Sequence, residues 1–400
     1  MVQYPIIYLN SNDGTGVLAF GEGEKIVLRK NEKIEDLQNF IDQHKGSYLY
    51  GYLSYDLKEQ LHGLKSNNGD GLFFPETFFW KPKYVVNLQK ENVQFLQGEK
   101  NSESLDFISQ FLEEETDQNF HPHNFDFKSR ISKEEYLSKV LEIKEQIQLG
   151  NIYELNFCQE FYAENVDIPY EFDTYFKLNK ITQAPYSTYF KFEEFDVFCG
   201  SPERFLKKEG NKLFSQPIKG TAPRGKSVEE DLILKSNLAS DPKERAENIM
   251  IVDLVRNDLS RVAAVNSVRV DELCEIYSFE TVHQMISTIS CDLKENVNFT
   301  DILKATFPMG SMTGAPKLRA MEFIEEFESF KRGLYSGSIG YIAPNGDFDF
   351  NVVIRTLLYN RKERYLSCSV GGAITIKSEP EKEYQECLVK VKRILDGINE

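Results

Sequence analysis

A lysine in a rigid segment is the first candidate for chemistry in this sequence. Lys219 lies in the stretch Gln216-Pro-Ile-Lys-Gly-Thr-Ala-Pro-Arg-Gly225, at the end of a strand predicted over 212–218. The two prolines fix φ, and the glycine after Lys219 lets a ligand approach the backbone closely. One ionisable side chain in stiff backbone suits a nucleophile or an anion contact. A surface turn with a solvated lysine is an equally good interpretation of this segment taken alone.

Two pairs of carboxylates at helical spacing are the second candidate. Asp241-Pro-Lys-Glu244 has an N-cap aspartate and a proline at the first helical position, which predicts a helix through residue 258. A second helix is predicted from Glu379-Pro380 to near residue 397. Each helix carries two glutamates three residues apart, and the four together could hold a hard divalent cation such as Mg²⁺: Glu244, Glu247, Glu383 and Glu386. Solvated carboxylates that complement the helix dipole are the alternative.

An arginine in an apolar strand is the third candidate. The turn Pro344-Asn-Gly346 predicts a three-residue hairpin, whose register places Tyr335 opposite Arg355 on one face. A buried arginine is costly without a partner, so we expect Arg355 to meet either a protein carboxylate or a substrate carboxylate. The next strand ends in Gly371-Gly-Ala373, where bare backbone amides could meet a second carboxylate.

A glycine-containing loop, Gly310-Ser-Met-Thr-Gly-Ala-Pro-Lys317, leads into a helix predicted to about residue 328. A loop at a helix N-terminus can bind an anion through its backbone N–H groups. The glycine spacing and the missing Gly-Lys-Thr ending distinguish the loop from a Walker motif. Taken alone, it is a weak signal for ligand binding.

The elements that position these residues alternate between strands and helices, with one break in composition. Residues 1–125 are predicted to form a β-rich subdomain, including a hairpin over 84–96, and an acidic, polar linker is predicted over 113–131. A capping box at Ser132-Lys-Glu-Glu135 opens the first helix of a core over 126–400. Four strands over 186–218 are predicted to form a meander, which would bring Glu203 back beside Lys219.

Composition and charge exclude several classes of function. The net charge of −16 argues against a surface for nucleic acid or an anionic membrane, and an anionic substrate would need local positive charge or a metal. No run of about 18 apolar residues occurs, and no basic segment precedes an apolar one at the N-terminus, so we expect no membrane span and no signal peptide. Six irregularly spaced cysteines and five histidines without zinc-ligand spacing are typical of a reduced, cytoplasmic protein.

The order of these segments resembles the chorismate-utilising enzymes, the family of anthranilate, aminodeoxychorismate, isochorismate and salicylate synthases. The matching segments span residues 132–396 and are Ser201-Pro-Glu203, Pro217-Ile-Lys-Gly-Thr221, residues 241–258, Gly310 to Lys317, Gly333 to Tyr341, Ile354-Arg-Thr356, Gly371-Gly-Ala373 and the helix of Glu383 and Glu386. The N-terminal third matches more weakly, through Gly51-Tyr-Leu-Ser-Tyr-Asp56. The resemblance implies an α/β (α+β) fold in which two large antiparallel sheets pack together with helices outside, and residues 126–400 form the chorismate-binding catalytic core.

Two positions separate the branches of this family. The branch that makes anthranilate typically carries alanine where this chain has Lys219, and the branch that makes 4-amino-4-deoxychorismate carries lysine. Members that add water at C2 typically have a lysine, as general base, where this chain has Glu154. The resemblance therefore implies amination of chorismate at C4, towards 4-aminobenzoate and folate. Anthranilate synthesis is the first alternative, and a non-catalytic protein that binds chorismate is the second.

The resemblance also implies roles for the candidate residues. Lys219 would attack C2, and Glu203 would protonate the leaving C4 hydroxyl. Ammonia from a separate glutamine amidotransferase subunit would then add at C4 and release the lysine. The remaining implied residues are the Mg²⁺ ligands Glu247, Glu386, Glu244 and Glu383, and the substrate-binding residues Tyr335, Arg355, Gly371, Gly372, Ala373, Thr221 and Lys317. Because lysine has a pKa near 10.4, a neutral amine at pH 7 costs about 4–5 kcal/mol, and we expect a neighbouring group to take its proton.

One departure from the family concerns a histidine. Many relatives carry it directly before a Leu-Val-Ser-like segment, where this chain has Gln284, with His283 one place earlier. The sequence therefore leaves His283 as either a neighbour of the site or a core residue, and we assign it no catalytic role.

Overall fold

Two large antiparallel β-sheets, packed face to face, form the centre of the protein. The computed structural model describes residues 4–89, 92–116 and 120–400. Within these residues one sheet has eleven strands and the other has ten. The fold implied by the family resemblance, two packed antiparallel sheets with helices outside, is confirmed.

The eleven-stranded sheet, called sheet one, combines strands from both ends of the chain. Its strands are β1 (Ile6–Asn10), β2 (Thr15–Phe20), β6 (Tyr84–Gln89), β7 (Asn92–Gln97), β8 (Lys128–Ser129), β9 (Glu154–Ala163), β10 (Tyr186–Phe192), β11 (Phe195–Ser201), β17 (Gly314–Ala315), β20 (Thr356–Asn360) and β21 (Tyr365–Ile374). They lie in the order β17, β9, β21, β20, β11, β10, β1, β2, β6 and β7, and β8 pairs with β9.

The ten-stranded sheet, called sheet two, is built in the same way. Its strands are β3 (Lys25–Leu28), β4 (Leu49–Leu53), β5 (Thr77–Trp80), β12 (Arg204–Glu209), β13 (Lys212–Gln216), β14 (Ile218–Pro223), β15 (Arg269–Ser278), β16 (Val282–Asp292), β18 (Ser338–Ile342) and β19 (Phe348–Asn351). They lie in the order β14, β16, β13, β12, β19, β18, β4, β5 and β3, and β15 pairs with β16.

Helices cover the outer faces of both sheets. They are α1 (Ile34–Gln43), α2 (Lys58–His62), α3 (Ser102–Thr116), α4 (Lys133–Gln148), α5 (Glu171–Thr182), α6 (Val228–Ser240), α7 (Pro242–Ser260), α8 (Phe299–Thr306), α9 (Lys317–Phe327) and α10 (Pro380–Asn399), with short 3₁₀ turns at Tyr55–Leu57 and Gly310–Met312. Side chains of α3, α4, α5, α9 and α10 join a core on the outer face of sheet one. Helix α7 packs along β14 and β16 of sheet two.

Aromatic side chains fill the space between the two sheets. Trp80 of sheet two stacks on Phe190 of sheet one, with ring centroids 5.6 Å apart. Tyr52 and Phe78 of sheet two contact the same ring edge to face. Such aromatic pairs bury large apolar areas and favour a fixed geometry, which explains how the two sheets are held in one relative position.

The helix starts that the sequence predicted are confirmed. Ser132 accepts a hydrogen bond from the Glu135 amide, and the Glu135 carboxylate accepts one from the Ser132 amide, which completes the capping box of α4. Asp241 accepts bonds from the amides of Lys243 and Glu244 at the start of α7. Helix α10 begins at Pro380 and runs two residues beyond the predicted end near 397. Local signals were sufficient to locate all three helices: capping side chains for α4 and α7, and a proline in the first turn for α10.

The predicted meander over 186–218 is wrong. Strands β10 and β11 form a hairpin in sheet one, whereas β12 and β13 form a hairpin in sheet two. The chain crosses from one sheet to the other at Ser201-Pro-Glu203. Alternating apolar residues predict a strand, but they do not determine which of two packed sheets the strand joins.

Two predicted strands are each divided in two. Pro217 separates β13 from β14, because proline has no N–H for the ladder, and Lys219 therefore lies inside a strand rather than after one. The strand predicted over 351–358 divides into β19 of sheet two and β20 of sheet one, and residues 352–355 cross between the sheets. The hairpin register is confirmed, since the Ala343 amide donates to the Asp347 carbonyl at 2.7 Å.

Residues on both sides of position 125 contribute strands to each sheet. Part of the predicted linker is helical, because α3 runs to Thr116, and residues 117–119 of that linker lie outside the described residues. The turn residues Lys90 and Glu91 of the predicted hairpin also lie outside them. All six cysteines are buried as free thiols. Across the described ranges, no helix has the length and apolar character needed to cross a membrane.

Removing the capping hydroxyl of α4 tests how this helix is held in place. We expect Ser132→Ala to lower the free energy of unfolding by about 1 kcal/mol, because the Glu135 amide loses its acceptor. Ser138→Ala, at an exposed position in the same helix, is the matched control, with an expected change within about 0.5 kcal/mol. Urea unfolding followed by circular dichroism measures both variants. Equal losses in the two would contradict a role for the cap.

Candidate active site

A cavity of about 580 Å³ lies where the edges of the two sheets come together. Strands β14 and β21, the N-terminal end of α7, residues 383–394 of α10, and the two crossings between the sheets supply much of its wall. The sequence-predicted residues that line it are Glu203, Lys219, Thr221, Glu244, Glu247, Tyr335, Arg355, Gly371, Gly372, Ala373, Glu383 and Glu386. Lys317 is the predicted site residue that the structure does not place there.

An ion pair between Lys219 and Glu154 joins the two sheets beside this cavity. Lys219 Nζ in β14 lies 3.2 Å from Glu154 Oε1 in β9, and the two side chains are 12% and 1% exposed. Burial by itself lowers the pKa of Lys219, but the carboxylates of Glu154, Glu247 and Glu203 outweigh burial and raise it. The resting lysine is therefore an ammonium, which must lose a proton before it can act as a nucleophile.

Glu154 is the nearest acceptor for that proton. Its Oε1 contacts the ammonium, and its Oε2 is buried without a hydrogen-bond partner among the described residues. The sequence marked Glu154 only as a position that separates branches of the family. Its pairing with Lys219 was missed, because the two residues belong to different sheets and no local pattern connects them.

Gly220 allows the lysine strand to pass close to α7. Its φ is +93°, in the left-handed region that favours glycine. A Cβ at this position would lie 3.1 Å from Glu244 Oε2 and 3.2 Å from the Glu244 Cβ. The glycine therefore permits both the backbone conformation and the close approach that bring Lys219 beside the carboxylates of α7.

Glu203 lies in the crossing between β11 and β12, where its side chain is buried. Its carboxylate accepts a hydrogen bond from Ser311 Oγ at 2.7 Å. Burial raises the pKa of Glu203 to about 7, against the opposing effects of the Ser311 hydrogen bond and the Lys219 charge. A large fraction of Glu203 is therefore protonated at neutral pH, as a general acid requires.

Four glutamates face the cavity from two helices, two from α7 and two from α10. Burial raises the pKa of Glu247 to about 7, and Glu247 Oε1 has no hydrogen-bond partner among the described residues. An orphaned carboxylate oxygen among further carboxylates fits a hard cation such as Mg²⁺. The donor set is nevertheless not assembled here, since in the described part of the chain no three acidic, histidine or cysteine side chains converge on one point.

The ammonium of Lys243 lies between the two helices at this cluster. Lys243 Nζ is 3.8 Å from Glu247 Oε1 in α7 and 3.5 Å from Glu383 Oε1 in α10. Farther along α10, Lys390 Nζ lies 2.7 Å from Glu386 Oε1. Neither lysine was predicted from the sequence to belong to the site, although each lies four residues from its glutamate, a spacing that favours such pairs on a helix.

Arg355 lies in the crossing from sheet two to sheet one, with a φ of +53°. The prediction that it lies inside a strand is wrong, because the chain changes sheets at this point. Burial and the like charge of Arg393 lower the pKa of Arg355, and no carboxylate in the described part of the chain offsets them. A largely buried arginine that faces a cavity without an acidic partner is suited to an anionic ligand.

Tyr335 reaches the same cavity from the turn before β18. Its hydroxyl accepts a hydrogen bond from Cys158 Sγ at 3.8 Å. Tyr335 and Arg355 therefore line one cavity, as the hairpin register suggested, although neither of them lies in a strand. One further pair of this register forms beyond the ladder, since the Val353 amide donates to the Gly337 carbonyl at 2.9 Å.

The backbone of β21 forms one wall of the cavity. This strand pairs with β20 only as far as Cys368, whereas its pairing with β9 continues to Ile374. Over residues 369–374 one edge of β21 is therefore left unpaired by the strands of the described chain. A Cβ at Gly372 would lie 3.7 Å from Glu383 Oε2, so this edge is close to the carboxylates of α10.

Lys317 has a different environment from the one the sequence suggested. Its ammonium lies 2.5 Å from Asp258 Oδ2 and donates to the Thr306 carbonyl at 2.7 Å. The loop before it does border the cavity, through Ser311 and Met312. At the first residue of α9, however, the side chain extends towards α7, so we reassign Lys317 from substrate binding to a structural ion pair.

Gln284 lines the cavity, and His283 does not. Gln284 Oε1 is buried without a hydrogen-bond partner among the described residues. On the opposite face of β16, His283 Nε2 lies 3.0 Å from Asp231 Oδ1, and its Nδ1 lies 2.8 Å from Ser278 Oγ. The alternation of side chains along a strand explains why only one of these neighbours faces the cavity. His283 is therefore a fully buried residue that connects β16 to α6.

Comparison with known proteins agrees with this arrangement. The chain matches the chorismate binding enzyme family over residues 4–396. It is 34% identical over 391 residues to aminodeoxychorismate synthase component 1 of Escherichia coli (strain K12), which covers 94% of this chain and 84% of that protein. It is 38% identical over 275 residues to anthranilate synthase component 1 of Aquifex aeolicus (strain VF5), which covers 68% of this chain and 54% of that protein.

A solved structure supports the same relationship. Anthranilate synthase component I from Streptococcus pneumoniae TIGR4 superposes on this chain with a TM-score of 0.81 at 27% sequence identity. The superposition covers 95% of this chain and 92% of that protein. The whole architecture is therefore shared, including the N-terminal strands, where the sequence resemblance is weaker.

Breaking the pair between Lys317 and Asp258 tests its structural role. We expect Lys317→Met to lower the free energy of unfolding by about 3–5 kcal/mol, because the buried carboxylate of Asp258 is left without its cation. The double variant with Asp258→Asn is expected to recover part of this loss, since the uncompensated charge is then removed. Urea unfolding of the single and double variants measures the coupling. If the loss in the double variant equals the sum of the losses in the two single variants, the ion pair is contradicted.

Proposed function

This chain belongs to the chorismate binding enzyme family, and we propose that within the family it aminates chorismate at C4 to form 4-amino-4-deoxychorismate. A relative named aminodeoxychorismate synthase component 1 is 34% identical to this chain over an alignment that covers 94% of the chain. We further propose that the product leads towards 4-aminobenzoate and folate, and that the protein acts in the cytoplasm.

The observation that carries this proposal is the position of Lys219. Its ammonium borders the cavity with a carboxylate 3.2 Å from its nitrogen. The branch of the family that makes anthranilate typically has alanine at this position, which offers no nucleophile. Glu154 stands where members that add water carry a lysine base, which argues against isochorismate or salicylate synthesis. A non-catalytic chorismate-binding protein would have no need of the buried lysine.

Chorismate has two carboxylates, and the cavity offers a separate region for each. Arg355, with Tyr335 beside it, is suited to a bidentate grip on the enolpyruvyl carboxylate. The unpaired edge of β21, residues 371–373, and a Mg²⁺ ion held by the four glutamates are suited to the ring carboxylate. When bound, Mg²⁺ would supply positive charge that offsets both the glutamates and the substrate dianion.

In the first half of the proposed reaction Lys219 becomes a nucleophile. Its ammonium gives a proton to Glu154, which exchanges two buried charges for two neutral groups. The neutral amine then attacks C2 of the ring, the two ring double bonds shift, and the C4–O bond breaks. Glu203 protonates the departing hydroxyl, which leaves as water.

In the second half, ammonia adds at C4 and the lysine is released. The C4–N bond forms, the double bonds shift back, and the bond between C2 and Lys219 breaks. Glu203, now a carboxylate, takes a proton from the added ammonia, and Glu154 returns its proton to the lysine. A separate glutamine amidotransferase subunit is the proposed source of ammonia, since the relative's designation as component 1 implies a partner.

Product analysis separates this reaction from anthranilate synthesis, the second candidate, which the 38% identical relative supports. The purified chain is incubated with chorismate, Mg²⁺ and ammonium at mildly alkaline pH, with and without an aminodeoxychorismate lyase. We expect 4-aminobenzoate only when the lyase is present. Anthranilate formed without the lyase would instead assign the chain to tryptophan synthesis.

The same assay tests the nucleophile. We expect Lys219→Ala to lower the rate by a factor on the order of 10³ or more, because alanine has no amine to form the covalent bond at C2. Lys226→Ala, which changes an exposed lysine in the loop after β14, is the matched control and is expected to keep the wild-type rate. Full activity of the Lys219→Ala protein would refute the covalent step.

The pH dependence of the rate tests Glu203 as the acid. Burial raises the pKa of Glu203 to about 7, so the proton that it must donate is lost as the pH rises through that value. We expect kcat/KM, measured at constant free ammonia, to fall over this range. Glu203→Gln is expected to abolish the descending limb and to lower the rate below pH 7 by about 10²–10⁴-fold. Glu209→Gln, at an exposed position in β12, is the control. A descending limb of the pH profile that is unchanged in Glu203→Gln would exclude Glu203 as the general acid.

A further inference from the structure

Lys243 lies among the four glutamates of α7 and α10, and the proposed reaction gives it no role. Its ammonium lies 3.8 Å from Glu247 Oε1 and 3.5 Å from Glu383 Oε1, so that it connects the first turns of the two helices. The side chain is 39% exposed. The ammonium can therefore leave the cluster by rotation of its own side chain, without unfolding of either helix.

The charges around Lys243 explain why a cation is held there. Burial lowers its pKa, and the four glutamates more than offset burial, so the side chain stays charged. The neighbouring cations are already engaged elsewhere, since Lys219 pairs with Glu154 and Lys390 pairs with Glu386. Lys219 also acts electrostatically on Glu247, but Lys243 is the cation that forms an ion pair with both Glu247 and Glu383 in the described part of the chain.

A divalent cation and the Lys243 ammonium compete for the same oxygens. Oε1 of Glu247 has no hydrogen-bond partner among the described residues and is one of the two oxygens nearest the ammonium. Two cations within a few ångströms of each other repel strongly in a partly buried site. A metal that takes both Glu247 and Glu383 as ligands must therefore first displace the ammonium from between them.

We propose that Lys243 is an internal counter-cation of this cluster, which a divalent metal ion must displace and which thereby lowers the metal affinity. The inference rests on the proposed Mg²⁺ site. While the metal is not bound, the lysine neutralises two facing carboxylates and connects α7 to α10. Binding of the metal moves the lysine side chain outwards, into solvent.

Calorimetric titration with MgCl₂ alone, without chorismate, tests the competition. We expect Lys243→Met to bind Mg²⁺ about tenfold more tightly than the wild-type protein, or about 1.4 kcal/mol, because the competing charge is gone. Lys382→Met, which removes an exposed lysine paired with Glu379 at the start of α10, is the matched control and is expected to leave the affinity unchanged. Equal affinities in wild type and Lys243→Met would overturn the proposal.

Chemical modification of the wild-type protein tests the displacement directly. A lysine held between two carboxylates reacts slowly with an acetylating reagent, and a solvated lysine reacts faster. We expect saturating MgCl₂ to increase the acetylation of Lys243 several-fold, as measured by peptide mass spectrometry, with Lys382 as the internal reference. Reactivity of Lys243 that stays constant or falls on addition of MgCl₂ contradicts displacement, whether or not the variant folds.

A third variant separates failure of this proposal from failure of the metal site itself. Glu386→Gln removes a proposed ligand without touching either oxygen that lies next to Lys243. If Glu386→Gln leaves the Mg²⁺ affinity unchanged, the proposed metal site is wrong, and the role of Lys243 falls with it. If Glu386→Gln weakens Mg²⁺ binding while Lys243→Met does not strengthen it, the metal site is supported, and competition between Lys243 and the metal is contradicted.

Discussion

The ion pair between Lys219 and Glu154 is the contact on which the rest of this site depends. Its two residues come from different sheets, and both side chains are largely buried. Neither charge would be tolerated there alone, because burying an unpaired charge costs several kcal/mol. The pair therefore fixes how the edge of sheet two, at β14, meets β9 near the edge of sheet one. The contact between β14 and β9 determines the cavity, and with it the separation between Arg355 and the four glutamates.

Charge balance is the second constraint on the site. A protein with a net charge of −16 binds, in our proposal, a substrate with two carboxylates beside four glutamates. Such binding requires cations near the cavity that offset the negative charge of the glutamates and the substrate. Among the described residues Arg355 has no acidic partner, which leaves it available for one carboxylate. Lys219 pairs with Glu154, and Lys243 lies between the helices where a metal ion would bind. The same reasoning explains why so many lysines contact carboxylates around one cavity.

Much of the fold and the site could be predicted from the sequence, wherever the signal was local. Helix caps located α4 and α7, and the turn at Asn345-Gly346 set the register that brings Tyr335 and Arg355 to one cavity. Apart from Lys317, every residue to which the family resemblance gave a role lines the cavity. Sheet membership could not be predicted, because alternation along a strand is the same in either sheet, and the meander therefore failed at Ser201-Pro-Glu203. The partners of Lys219 and Lys317 were missed for a related reason, since ion pairs between distant residues depend on tertiary packing.

The central claim is that Lys219 forms a covalent bond with the substrate, and mass spectrometry tests it most directly. The protein is mixed with chorismate and Mg²⁺ without ammonia, quenched rapidly in acid and digested for peptide mapping. The account predicts an adduct with the mass of chorismate less one water, located on Lys219 and missing from Lys219→Ala. An adduct on another residue, or product formation with no adduct at any time in the reaction, would contradict the account.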